Sequence, residues 1–359
     1  MRWCGCVAAA MLAAGCSNSS GDTVGSTPVQ DAGGSDQSTP PPDSATGQDS
    51  ETPPDAAPVT KLTLLAAGDI AQSGRTQNAR AIAARVKAHS PSVEAVVLSG
   101  DNARWDGVGS LLTYYNTYYG PANEADWGQF DAIAFPQLGN HEYSSGDPQG
   151  YFDYFASRFA VIKKLPGYAG FADDKAKAYY SFDLNGWHFV SLNSQCTGIS
   201  GGCAAGGDQE VWLKSDLASH PNMPIIANWH SPRYACGGHT SDTAMQDLWA
   251  DLVDARADFV FNGHNHYYER WKPLNKTSPE AQVDDANGLT EVIAGSYGVS
   301  TYPVCASVDA RLAQQKGDDA GMGAFYLTIG SDGSYAFEYE LVSDGSIVDS
   351  GSGIANNAH

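Results

Sequence analysis

The feature that most constrains this chain is a local pattern used five times: a short apolar run, a turn, then a side chain with an oxygen or nitrogen donor. Leu62–Ala67 leads into Gly68-Asp69, Ala95–Leu98 into Gly100-Asp101-Asn102, and Ala132–Leu138 into Gly139-Asn140-His141-Glu142. Further on, Ile225–Ala227 leads into Asn228-Trp229-His230 and Phe259–Phe261 into Gly263-His264-Asn265-His266. Short β-rich apolar runs read as strands buried on both faces. Helix-compatible stretches lie between several of them, at Thr76–His89, Gly107–Tyr119, Gln149–Phe159, Asp208–Ser219 and Ser241–Arg256. Runs 179–184 and 187–193, joined by Asn185-Gly186, predict a hairpin, and the chain ends mostly in strand at 290–294, 322–329 and 335–342. The pattern is that of an α/β domain whose polar residues gather at strand ends, where such sheets place their sites.

Composition supports that class. The 359 residues are 42% hydrophobic, enough for a large core, and the 39 glycines and 18 tyrosines suit a loop-rich α/β domain better than a coiled coil or bundle. Twenty Lys and Arg stand against 41 Asp and Glu, a net charge of −21. Nucleic acid is thereby excluded as a general partner, because binding its phosphates needs a basic face. Charge-driven binding to anionic lipid is excluded on the same ground.

Residues 1–16 read MRWCGCVAAAMLAAGC: one basic residue, a short apolar run from Val7 to Ala14, then small residues before Cys16. The run is too short to span a bilayer. It resembles a bacterial lipoprotein signal, cut before a cysteine that is then lipidated, although Leu12 sits one place earlier than usual. An ordinary secretory signal is the alternative, and both imply export. Ser17–Thr60 holds seven of the 18 prolines and seven acidic residues, with no Lys, Arg or aromatic residue. It cannot bury enough apolar surface to order itself and is expected to be a disordered tether. Residues 61–359 form one expected domain, which keeps 19 of the basic and 34 of the acidic residues, a balance of −15. That domain retains Cys196, Cys203, Cys236 and Cys305. In an exported protein they predict two disulfides with three possible connectivities, Cys196–Cys203 with Cys236–Cys305 being preferred.

Each donor motif alone reads as an ordinary turn. Together they supply carboxylates, an amide oxygen and imidazoles, a donor set suited to Zn, Mn or Fe. In an extended stretch His264 and His266 point the same way, so two imidazoles can reach two neighbouring metals. Two cations roughly 3.5–4 Å apart clamp the attacking and leaving oxygens of a phosphoryl transfer.

With these motifs in this order, the chain from Leu62 to about Leu341 resembles the calcineurin-like metallophosphoesterase superfamily, nearest to its purple acid phosphatase-like branch. The resemblance implies a four-layer αββα sandwich of two mixed β-sheets flanked by helices. It implies two divalent or trivalent metal ions. Asp101 would bridge both; Asn140, His230 and His264 would complete one site, and Asp69 and His266 the other. His141 would face substrate as the acid that protonates the leaving oxygen, while a metal-bridging hydroxide attacks phosphorus. Two positions depart from the pattern. Ala71 stands where many members have a ligating His, and Arg104 where the purple branch has a ligating Tyr, which leaves one metal with three protein ligands. Arg104 is a candidate contact to substrate phosphate, as is Arg233, because guanidinium matches phosphate bidentately.

His89 and His220 are expected at the surface and His188 in the core or on a sheet face, with no catalytic role. His239 is at most a rim position. Tyr114, Tyr115, Tyr118 and Tyr119 recur at helical spacing and read as core packing. The resulting expectation is a metal-dependent phosphoesterase anchored through Cys16 to the bacterial cell envelope, acting on small phosphomonoesters. Phosphodiesterase action, or a binding lipoprotein with a degraded first metal site, are the alternatives.

Overall fold

A computed structural model describes residues 58–107, 109–120, 126–307, 309–318 and 321–358. The expected leader at 1–16 and most of the expected tether lie outside the described residues. The strands are β1 (Lys61–Ala67), β2 (Ala95–Leu98), β3 (Ala134–Phe135), β4 (Ala169–Gly170), β5 (Tyr180–Leu184), β6 (Trp187–Ser191) and β7 (Ile225–Asn228). They continue as β8 (Phe259–Asn262), β9 (Tyr268–Trp271), β10 (Thr290–Ala294), β11 (Leu312–Lys316), β12 (Gly323–Gly330), β13 (Ser334–Leu341) and β14 (Ile347–Ile354). The helices are α1 (Thr76–Ala88), α2 (Leu111–Tyr114), α3 (Asn140–Ser144), α4 (Gln149–Tyr154), α5 (Ala156–Ile162), α6 (Asp208–Ser219) and α7 (Gln246–Asp254).

Two mixed sheets result, one of six strands ordered β14-β13-β12-β1-β2-β3 and one of eight ordered β11-β9-β10-β8-β7-β6-β5-β4. β1, β2 and β3 run parallel, as do β6, β7, β8 and β10. Aromatic pairs join the inner faces: Phe135 stacks on Phe182 at 4.2 Å, Tyr268 on Tyr339 at 3.8 Å, and Phe261 meets Phe325 at 5.8 Å. Such pairs add to the burial that drives sheet-on-sheet packing. A second apolar cluster, including Leu213, Leu217, Leu248, Trp249 and Leu252, seats α6 and α7 against the outer face of the larger sheet. Ala79, Ile82, Ala83 and Val86 bury one face of α1, which packs on β12 of the other sheet. This is the helix-flanked two-sheet sandwich expected.

Polar bonds stitch the sheets together where β2, β7 and β8 end. The Asn228 side chain donates to the Leu98 carbonyl (3.1 Å), and Ser99 Oγ to the Phe261 carbonyl (3.3 Å). Asn185 and Gly186 both take positive φ (51° and 79°), the geometry that lets a two-residue turn join β5 to β6. The two disulfides pair Cys196 with Cys203 and Cys236 with Cys305, the preferred connectivity. Among the described residues no helix is long and apolar enough to cross a membrane.

Several elements differ from expectation. The run 132–138 forms a strand with β2 only at Ala134–Phe135, because Trp127–Ile133 is a 3₁₀ helix; beyond Pro136 one bond, Gln137 N–H to the Leu98 carbonyl (3.1 Å), continues toward β2. Gly107–Tyr119 is α2 followed by a π-helical turn at Tyr115–Tyr119, and Gln149–Phe159 is split between α4 and α5 at Phe155. Residues 241–256 form a 3₁₀ turn at Thr243–Met245 and then α7. Strands β9, β11 and β14 carried no apolar run and take their place only by pairing with neighbours. His89 is not a surface residue: its ring stacks on Tyr326 at 3.7 Å and its Nε2 meets Glu338 at 2.8 Å.

Phe261 is fully buried between the sheets, one residue before the strand that carries His264 ends. Phe261→Ala is expected to lower unfolding free energy by about 3–5 kcal/mol through lost burial and the cavity left behind. Urea denaturation followed by far-UV dichroism measures it, and a loss under 1 kcal/mol would show that the inner faces do not depend on this contact.

Candidate metal centre

The loops after β1 and β2 extend their strands' parallel pairing by backbone bonds, Asp69 N–H to the Gly100 carbonyl and Ile70 N–H to that of Asp101 (both 3.1 Å). Asp69, Asp101 and His264 each adopt positive φ (57°, 50° and 69°), a conformation that costs a non-glycine residue on the order of 1 kcal/mol or more. All three follow a glycine. Backbone strain is thus concentrated where the side chains converge. At Gly139 a Cβ would lie 2.1 Å from Asp101 Oδ1, so only glycine lets the two loops approach this closely.

The structure brings all six expected ligands together. Asp69, Asp101 and His230 are buried, with donor atoms within 4.8 Å of one another. Asn140 Oδ1 stands 3.0 Å from both His230 Nε2 and His264 Nδ1. His266 Nε2 is 3.4 Å from Asp69 Oδ1, and His230 Nε2 is 3.4 Å from Asp101 Oδ2. The donors are also prepared for a cation. His230 Nδ1–H donates to the Ser99 carbonyl (2.8 Å) and His266 Nδ1–H to that of Ser300, so each leaves Nε2 turned inward. Asp69 Oδ1 is buried with no hydrogen-bond partner. Buried carboxylates are paired or coordinate metal, and this donor set of two carboxylates, one amide and three imidazoles fits first-row cations.

A proton on His230 balances the buried Asp101 carboxylate, in the place a cation would take. Burial opposes charge on Asp101, yet His230 and His141 overcome it and hold the carboxyl well below its usual range. Burial likewise opposes a proton on His230, but Asp101 raises it to about 9. His264 is lowered to about 3 by burial and by the neighbouring His230, so it presents a bare nitrogen.

His141 is held apart from the ligands. Its backbone N–H donates to Asp101 Oδ1 (2.8 Å), its Nδ1–H to the Trp105 carbonyl (3.0 Å), and its Nε2 lies 4.0 Å from Asp101 Oδ2 on a partly open face. Arg104 is half-buried at the edge of the cluster, where its guanidinium hydrogen-bonds the Tyr302 hydroxyl while its Nε has no partner. Arg233 is a correction. It is 1% exposed, donates to Gln246 Oε1 (2.7 Å) and the Pro279 carbonyl (3.4 Å), and lies over the Tyr234 ring, so it is a packing residue with no access to substrate. Ala71 is buried and bridges to Ala103, and its methyl group offers no donor atom there.

Sequence reasoning quoted Glu142 inside its motif but gave it no role. Its carboxylate is fully buried and accepts from Asp101 N–H (3.0 Å), Asn102 N–H (2.9 Å), Gly139 N–H (2.7 Å) and the Tyr115 hydroxyl (2.8 Å). It therefore clamps two ligand loops at once, and burial with the nearby Asp101 raises its pKa to about 7. Two more neighbours were given no part in the centre: His239, read as at most a rim position, stacks on His264 at 4.2 Å, and Tyr302, given no reading, stacks on His266 at 4.1 Å. Their sequence positions lack any strand-end motif, so no local signal marks them. Tyr143 and Tyr267, which flank ligand motifs, have hydroxyls bonded to Asn193 and to the Gly237 carbonyl.

A sandwich of two mixed sheets with such a cluster at its strand ends defines the metallo-dependent phosphatase fold. Residues 62–268 match the model of the calcineurin-like phosphoesterase family, and the chain belongs to that family. It is 31% identical to Purple acid phosphatase 15 of Arabidopsis thaliana over 138 residues, 37% of this chain and 24% of that protein. To Purple acid phosphatase 22 of the same plant it is 38% identical over 112 residues, 28% of this chain and 24% of that one. The matched segments thus span about a quarter of those relatives' length. In fold it is similar to the purple acid phosphatase PPD1 of yellow lupin (TM-score 0.52, 16% identity, 82% of this chain and 53% of that one). It is similar also to GAP50 of Plasmodium, described as the anchor in the inner membrane complex (TM-score 0.56, 13% identity, 82% and 89%).

Glu142→Gln replaces an acceptor oxygen by an amide that cannot accept from the backbone donors it faces. It is expected to destabilise the domain by about 1–3 kcal/mol for each buried N–H left unpaired, and to weaken metal retention. Thermal melts with metal analysis test this; unchanged stability and metal content would remove Glu142 from the support of the centre.

Proposed function

We propose that this domain is an exported, lipid-anchored phosphoesterase that hydrolyses small phosphomonoesters at a dinuclear metal centre. The observation that carries the reading is the convergence of Asp69, Asp101, Asn140, His230, His264 and His266, with Asp69 Oδ1 buried and without a hydrogen bond. Asp101 would serve both halves of the cluster; Asn140, His230 and His264 would hold one cation, and Asp69 and His266 the other. Bound there, the cations supply Lewis acidity and an activated water-derived nucleophile.

The chain's own residues do the rest. His141 presents Nε2 toward the open face and, protonated, gives its proton to the departing oxygen, while Nδ1–H on the Trp105 carbonyl fixes the ring. Arg104 turns its guanidinium to the phosphoryl oxygens, with Tyr302 and His239 walling the same side. The domain's acidic balance of −15 disfavours nucleic acid and favours a small ester that needs only the local positive charge of the centre. Two disulfides in the domain support an oxidising compartment, in keeping with the leader ending at Cys16.

His141→Ala is expected to leave metal content unchanged and to lower kcat by roughly 10²–10⁴-fold, the usual contribution of a positioned proton donor. The loss should shrink for leaving groups that are weak bases, such as p-nitrophenolate, and grow for alkyl alcohols. An equal loss across leaving groups would mean that His141 binds phosphate and does not act as the acid.

A further inference from the structure

Two loops, residues 233–239 and 300–305, flank the ligand motif that ends in His264-Asn265-His266. His239 of the first stacks on His264 (4.2 Å, 25° between planes), and Tyr302 of the second on His266 (4.1 Å, 12°). The two outer rings meet edge to face at 5.5 Å. Cys236 stands three residues before His239 and Cys305 three residues after Tyr302, and these cysteines are the two halves of one disulfide. A single covalent link thus joins the two loops whose rings lie against the ligand histidines.

Hydrogen bonds anchor each loop separately. Fully buried Glu291 of β10 accepts from Arg233 N–H (2.7 Å) and Tyr234 N–H (2.8 Å), and buried Glu269 of β9 accepts from Cys236 N–H (3.2 Å). Asn265 accepts from His239 N–H at Oδ1 (2.6 Å) and donates to the His239 carbonyl (3.3 Å). In the second loop Tyr302 N–H donates to the His266 carbonyl (3.0 Å). From loop to loop run a bridge between Gly237 and Val304 and the disulfide itself. The fit there is close: at Gly238, with φ 50°, a Cβ would lie 2.5 Å from Asn265 Oδ1 and 3.1 Å from Tyr302 Cδ2. Burial does little to hold that contact, since Gly238, His239 and Pro303 are exposed and Cys236, Tyr302 and Cys305 half-buried. The crosslink does what burial does not.

We propose that Cys236 and Cys305 are positioning residues for the reaction: their disulfide holds His239 and Tyr302 together as one wall beside the metal centre, on the side where Arg104 lies. The inference rests on the phosphoesterase reading given above. The disulfide touches no substrate and acts through the two rings. Cutting it leaves the ligands in place, because His230 and His266 keep their bonds to the Ser99 and Ser300 carbonyls. What is lost is the fixed relation of the two rings, and a misplacement of about 1 Å in groups that orient a substrate can cost on the order of 10²-fold in rate.

The test compares full-length wild type with a double variant, Cys236→Ser with Cys305→Ser. The control is Cys196→Ser with Cys203→Ser, which loses the other disulfide. Removing a crosslink between residues 69 apart lowers Tm whatever the loops do, so Tm does not decide. The double variant is expected to keep wild-type metal content and a kcat within about twofold, while KM for p-nitrophenyl phosphate and Kd for orthophosphate rise about tenfold, the signature of lost binding common to ground and transition state. Hydrogen exchange in peptides covering residues 236–240 and 300–306 is expected to quicken, and the control to match wild type throughout. Should the double variant fail to fold, the control protein, folded and then reduced with a phosphine, gives the same comparison, and reoxidation is expected to restore it. Unchanged KM, orthophosphate affinity and exchange would overturn the proposal. Loss of metal in step with activity would overturn it too, making the disulfide a support of the ligands. If wild type binds orthophosphate but hydrolyses no ester, the catalytic reading fails, and orthophosphate affinity and exchange still decide whether the disulfide positions the wall.

Discussion

The buried carboxylate of Glu142 receives the backbone N–H groups of Asp101, Asn102 and Gly139 and the hydroxyl of Tyr115. These donors belong to two loops that follow different strands, and both loops carry residues of the centre. Had they been left to themselves, buried N–H groups would each have needed another partner. Asp101 would then lack the constraint that keeps it at φ 50°. From this one group follow the close approach of Gly139 to Asp101, the bond from His141 N–H to Asp101 Oδ1, and the direction in which Asn140 presents its amide.

The second constraint is charge. Two carboxylates with almost no access to water face three imidazoles, and their mutual effects hold Asp101 ionised and His264 bare. Hydrogen bonds donated outward to the Ser99 and Ser300 carbonyls settle which nitrogen of His230 and His266 looks inward. The sandwich supplies the Ser99 carbonyl because β2 and β8, one from each sheet, end side by side, joined by Ser99 Oγ and the Phe261 carbonyl, while Ser300 comes from the segment after β10. Fold and site therefore share the same bonds. His141 and Arg104 stand outside this ring of ligands, on its partly open side, where the proposed function gives them their roles toward an ester.

Much of this was legible in the sequence, for a physical reason. A ligand placed one residue after a strand-end glycine is marked twice, by the apolar run and by the turn, so Asp69, Asp101, Asn140 and His264 could be read in order, and His266 followed from its place two residues after His264. Residues whose role is set by distant partners were not marked. Glu142 was visible only as part of a motif, since its partners include Tyr115, which periodicity assigned to packing. Arg233 was misjudged because proximity to His230 in sequence says nothing about which way a side chain leaves its loop; it turns to Gln246 and Pro279. The same limit hid the stacking of His188 on His220. Strands β9, β11 and β14 were silent because each mixes polar with apolar residues, and pairing with neighbours, not burial of an apolar run, makes them strands.

The central claim is that the strand-end cluster is a two-metal centre bridged by Asp101. The most direct measurement is an anomalous difference map from crystals of the protein loaded with zinc or manganese, collected on either side of the metal's absorption edge. The account predicts two peaks within about 4 Å of each other, with Asp101 between them. Asn140, His230 and His264 should surround one peak, and Asp69 and His266 the other. A map with no peak among these six residues, from protein that binds the metal in solution, would contradict it.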